Sequence, residues 1–228
     1  MQMTLEQRRN RLTTWFDCIF DNVTEAVIHQ HIFWEVQEII RNNPQLQNAS
    51  SAFYTWMGAS FVHSTVLAVR RQVDRDKNSV SLLRFLLELQ KFPDLISRQY
   101  HRSLYKRLEH DQQPEYSGFA DDMANGTYDR HVGKGEDTLV ADTLRSEIHS
   151  LISASQELHH YADRAVAHYD ARGLERPIPK FDDLTICLAV LEKLVLRYLM
   201  LLKGIAQGKL LPTFQYDWKT VFRVQWLR

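Results

Sequence analysis

Three features of the sequence predict an all-α protein. Apolar or small residues at Leu144, Ile148, Leu151, Ser155, Leu158, Ala162, Ala165 and Tyr169 step alternately by four and three, which traces one stripe along a helix. A second series, Leu184, Leu188, Leu191, Val195, Tyr198 and Leu202, repeats the same step. No segment alternates with the period of two that a half-buried strand requires. The expected architecture is a single up-and-down bundle: an N-terminal helical half (1–109), a glycine-rich crossover (110–137), a helical hairpin (138–208) and a tail that docks on the bundle (209–228).

The N-terminal half reads as a run of separate helices. Thr4 to Asp17 forms the first and short one. Asn22 or Thr24 caps the next, which carries Val27, His31, Trp34, Val36, Ile39 and Ile40 until Asn42, Asn43 and Pro44 end it. Ser50 or Ser51 opens a third, through Phe53, Trp56, Met57, Phe61, Val62, Leu67 and Val69 to about Asp74. That helix is apolar on almost every side up to Arg70, which predicts a central place in the bundle. Ser79 or Ser81 starts the segment SLLRFLLELQ, and Pro93 stops it; Asp94 is the expected cap of a further helix, Leu95 to Glu109.

Periodicity then vanishes. His110 to about Asp137 holds Gly118, Gly126, Gly133 and Gly135 and few aliphatics, the profile of a long crossover loop. A long helix is expected from Thr138 to about Arg172, stopped by Gly173 with Pro177 and Pro179 beyond. Asp182 is the predicted cap of its partner, with Phe181 placed to staple against Ile186, and Gly204 and Gly208 close it. In the tail, Trp218, Phe222 and Trp226 recur every four residues. Such aromatics can stack bases, but at this spacing they more often close a core.

Composition narrows the function classes. Lys and Arg total 28 and Asp and Glu total 28, so no global basic excess drives binding to long nucleic acid. Cys18 and Cys187 both lie among apolar residues, as two reduced, core-facing thiols of a cytoplasmic protein would. MQMTLEQRRNRL has no apolar run behind its basic residues, unlike a secretory signal, and Leu184 to Leu202 is interrupted by Glu192, Lys193 and Arg197, unlike a membrane span. No His-Glu-x-x-His, Cys-x-x-Cys or phosphate-binding glycine fingerprint is present, so neither a metal nor another cofactor is expected.

Two polar constellations remain. His160, Arg164 and His168 are spaced four apart and share a helical edge, with Asp163 and Asp170 beside them. The ordinary reading is a solvated edge. The functional one is a cleft: a neutral imidazole can take a proton near pH 7, and a guanidinium can steady a phosphate. Along the third helix, His63, Arg70 and Asp74 share another face, with Arg71 adjacent. The structural reading there is an Arg70–Asp74 ion pair at a helix end, and the functional reading is a phosphate-binding patch opposite His168.

Three pieces carry a resemblance: RRQVDRDKNSVSLLRFLLEL (Arg70 to Leu89), YADRAVAHYD with the PKFDDL that follows, and FQYDWKTVFRVQWL. In this order they resemble the HEPN-like proteins of the abortive-infection U group, whose fold is a compact helical bundle. The resemblance implies a homodimer with an arginine and a histidine of one helix facing the dimer cleft. In active HEPN ribonucleases the motif is an arginine, four to six residues, then a histidine. His168 takes the histidine place here. The arginine places fall on Asp163, Ala162 and Tyr161, Ala162 being the best overlay, and Arg164 stands only four positions before His168.

Two expectations follow from the resemblance. One is a non-catalytic dimeric module in a defence or toxin–antitoxin setting, binding RNA, a nucleotide or an antitoxin-like protein partner through Arg70, Arg71, Asp74, His160 and Asp163. The alternative is a metal-independent endoribonuclease with His168 as general base and Arg164 as the phosphate-stabilising group.

Overall fold

A computed structural model describes residues 3–48, 51–109, 117–166 and 179–224. The described residues are helical with no strand, so the all-α expectation holds. The first element is α1, Leu5–Arg41, opened by a reciprocal cap in which the Gln7 amide donates to Thr4 Oγ1 and the Thr4 amide to Gln7 Oε1. The two separate N-terminal helices read from the sequence are thus one. Phe16, Ile19, Val23, Ala26 and Val27 carry the buried face straight through the expected break. Asn22 is not a cap; its side-chain oxygen accepts from Gln72 of the third helix at 2.8 Å.

After a short turn of helix, α2 (Pro44–Gln47), α3 runs Ala52–Gln72 from its Ser51 cap. Only its second half is central. Phe61, Val66 and Val69 are buried, whereas Phe53 and Trp56 lie exposed. Ser81 caps α4, Leu82–Lys91, by accepting from the Arg84 amide, and five of that helix's ten residues are buried. Pro93–Ile96 is a 3₁₀ turn, and α5 spans Arg98–Glu109. Ser97, not Asp94, caps α5: its hydroxyl accepts from the Tyr100 amide at 3.2 Å.

The crossover differs from expectation. Ser117–His131 is a helix, α6, despite Gly118 and Gly126. Its buried side is Ala124 and Tyr128, continued by Val132 beyond the helix end, a stripe too thin to read against so many polar neighbours. Polar ties hold it to α5 and to the 3₁₀ turn before it: Arg102 clasps Asp121, Arg98 meets Asp129 at 2.6 Å, and the Tyr128 hydroxyl donates to the Ile96 carbonyl.

The hairpin consists of α7, Ala141–Tyr161, and α8, Phe181–Lys203. Helix α7 passes directly into a π-helical turn, Ala162–Val166, and the expected end near Arg172 and Gly173 lies outside the described residues. At the start of α8 Lys180 occupies the cap position, and Asp183 reaches back to its amide; Asp182 does not cap. Phe181 packs on Phe33 and Trp34 of α1 instead of stapling to Ile186, which is exposed. Ten residues of α8 are buried, each large apolar one contributing about 1.5–3 kcal/mol, so this helix anchors the core. It ends at Gly204, whose φ of 69° is left-handed. The tail docks through buried Leu210 and through Trp218 and Phe214 against His31, with Trp218–Arg223 a 3₁₀ turn; Trp226 lies outside the described residues. Cys187 is buried, but Cys18 is exposed, contrary to its apolar sequence context.

Candidate functional site

Helix α3 ends beside the π turn that follows α7, and two side chains close the gap. Arg70 Nε donates to Asp163 Oδ1 at 2.5 Å. The pair expected between Arg70 and Asp74 does not form, because Asp74 serves its own turn: its Oδ1 accepts the Asp76 amide at 2.9 Å, and its carbonyl accepts the Ser81 hydroxyl at 2.7 Å. Asp74 therefore builds the α3–α4 connection, and Arg70 is left to reach across to α7.

Asp163 has a second neighbour. Nδ1 of His159, one turn earlier, lies 3.6 Å from Asp163 Oδ2. Arg70, Asp163 and His159 form a half-exposed cluster with a carboxylate between an arginine and an imidazole. At this exposure the Arg70–Asp163 contact stabilises the fold by no more than about 1 kcal/mol. Chemically the carboxylate occupies the guanidinium edge that a phosphate would otherwise take. His159 was not among the sequence candidates; the signal that could have found it is its four-residue spacing from Asp163.

The remaining candidates separate. His160 and Arg164 are both half-buried. A shared edge for His160, Arg164 and His168 presumes 3.6 residues per turn. The π turn widens the helix, so a step of four no longer returns to the same edge. Turns of this kind recur at functional sites. Arg71, one residue after Arg70, faces α1 rather than Asp163, and His63 is exposed near the middle of α3. His168 lies outside the described residues, as does Asp170.

Ala162 is fully buried against the core. The position that best overlays the arginine of the ribonuclease motif thus points inward, and an arginine there would have to bury its charge. No group of three or more His, Cys, Asp or Glu residues is placed to hold a metal ion among the described residues, and no helix among them is long and apolar enough to cross a membrane.

A second polar feature lies about four turns away, towards the start of α7. Glu147 accepts from the buried Tyr198 hydroxyl at 2.6 Å and pairs with Arg197, also at 2.6 Å. Burial, then the Glu147 charge, raise the Tyr198 pKa well above its ordinary value, so the phenol stays protonated and donates. This network ties α7 to α8 and is structural.

Comparison with protein families matches residues 10–220 to the family model HEPN_AbiU2, described as AbiU2. No curated protein and no solved structure matches the chain.

Proposed function

The chain belongs to the AbiU2 family of HEPN proteins, and from that membership we propose that it acts as a dimeric, non-catalytic module that binds RNA or a nucleotide in a phage-defence or toxin–antitoxin setting. One observation carries the non-catalytic part. The motif's arginine place holds Ala162, fully buried, while the nearby cation Arg70 is engaged by Asp163. A metal-independent ribonuclease needs a cation that meets the charge growing on the phosphate. Here the Arg70 guanidinium already has a carboxylate on it. Binding tolerates such a pair, because a phosphate can compete for Arg70 or join it.

The alternative, cleavage with His168 as base and Arg164 as the phosphate partner, is favoured by the π turn that carries Arg164. Incubation of the full chain with a labelled single-stranded RNA in EDTA separates the two. Retention of the RNA with cleavage no greater than that of His168→Ala supports the binding module. EDTA-resistant cleavage that His168→Ala abolishes replaces it with the ribonuclease. Failure to retain either RNA or nucleotides at low salt removes the binding claim. Sedimentation tests the dimer: twice the 26.9 kDa of one chain is expected, and a single-chain mass defeats it.

A further inference from the structure

On the side of α3 turned away from Asp163, a cavity of about 220 Å³ opens between α1 and α3. Its polar lining is Asn22, Glu25, His29, Ser64, Thr65 and Arg71. Thr65 is 1% exposed, and its buried hydroxyl has no hydrogen-bond partner among the described residues. Such a group is costly: valine would fill the same space, and a threonine in a helix ordinarily satisfies its hydroxyl on the carbonyl one turn back. Thr65 does neither.

The other polar groups are mainly donors. Asn22 Oδ1 is taken by Gln72 Nε2 at 2.8 Å, which leaves the Asn22 NH₂ as its free end. Arg71 makes no ion pair among the described residues, in contrast to Arg70 beside it. Ser64 donates to the Phe61 carbonyl and is spent. The acid, Glu25, is 64% exposed and lies 3.9 Å from His29 Nε2, so its charge is largely in solvent and partnered when the imidazole is protonated. A cleft with the exposed Arg71 guanidinium and His29 imidazole at its mouth, and an amide NH₂ and an unused hydroxyl on its wall, suits a tetrahedral oxyanion. A cavity of about 220 Å³ has ample room for one phosphate together with ordered waters.

We infer that this cavity is a phosphate-binding site, taking inorganic phosphate or the terminal phosphate of a monoester whose organic part stays outside. Arg71 supplies the paired N–H donors, and Thr65 and Asn22 donate from the wall. The site is separate from the Arg70–Asp163 cluster and stands whether or not that cluster binds RNA.

Thermal unfolding and isothermal titration of the full chain with sodium phosphate, with adenosine 5′-monophosphate, and with sodium chloride at matched ionic strength test it, using wild type, Thr65→Val and Arg71→Gln. Saturable stabilisation of wild type beyond the chloride control is expected, with affinity at least tenfold weaker in either variant. Thr65→Val should also unfold at a higher temperature than wild type without phosphate, since it removes an unsatisfied hydroxyl. Response to both ligands identifies the phosphate group as sufficient; response to the monophosphate alone identifies an ester. Absence of saturable stabilisation by either, affinity unchanged in both variants, or a Thr65→Val protein less stable than wild type in phosphate-free buffer each overturns the site.

Discussion

Arg70 and Asp163 stand 93 positions apart in the chain and meet at 2.5 Å, where the end of α3 faces the π turn after α7. The contact makes Asp163 an internal competitor for any phosphate that approaches Arg70. Asp163→Asn removes the competing charge while keeping the size of the side chain. It is expected to tighten RNA binding several-fold at low salt and to steepen its salt dependence by about one phosphate contact. The stability cost should stay below about 1 kcal/mol. Equal or weaker RNA retention by Asp163→Asn in a filter-binding assay would show that Arg70 does not meet RNA.

Ala162 gives a test in the opposite direction. Ala162→Arg installs the residue type found at this place in the HEPN ribonuclease motif, yet its side chain starts in the core. The variant is expected to lose about 3 kcal/mol or more in urea unfolding and to gain no nuclease activity. A stable Ala162→Arg protein that cleaves RNA in EDTA would reverse the reading of this turn.

Acid should weaken the fold through two histidines. Burial holds the His101 imidazole below its ordinary pKa, and its Nδ1 lies 3.1 Å from the Leu201 carbonyl at the end of α8. His131 is likewise depressed, by burial first and then by Arg197 and Arg130. The unfolded chain therefore takes up protons more readily than the folded one. Stability is complete above about pH 6.5 and falls as pH drops through the lowered folded-state values. His101→Leu should cost about 1–3 kcal/mol at neutral pH, by orphaning the Leu201 carbonyl, and should flatten the acid-side loss. An unchanged slope of unfolding free energy against pH would count against His101 as its source.

The two thiols should differ sharply. Burial pushes the Cys187 thiol up to about 12, while Cys18 is exposed on α1. A thiol reagent on the native protein is expected to modify one cysteine per chain rapidly, and Cys18→Ser should abolish that phase. Two fast equivalents would mean that α8 is more open than the structure shows.

The bundle was legible because its hairpin obeys the four-three step, and buried stripes at that spacing have few other uses. Leu144, Leu151, Leu158, Leu184, Leu188 and Leu191 all lie in the core where that step placed them. Punctuation was less readable. Asn22 and Thr24 have the chemistry of caps, but at mid-helix Asn22 binds Gln72, a partner no local pattern reveals. Helix α6 was hidden because tertiary ties to Arg98 and Arg102 compensate for a weak apolar face. At the site, residue types were visible and pairings were not. Arg70 had Asp74 one turn away, and only the fold brings Asp163 closer. The π turn left no signature in the four-three stripe, which runs on through Ala162 and Ala165.

Helix α1 has 37 residues and is about 55 Å long without an interior break. Arg8 and Arg11 pin its first turns to Glu88, Asp17 meets Lys203 of α8, and Glu35 near its far end meets Lys219 of the tail. A rod fastened at so many points offers no hinge. Any rearrangement that opens the bundle to a ligand must slide neighbouring helices along the rod, or peel the tail from its end, since the two halves of the molecule cannot swing apart about its middle.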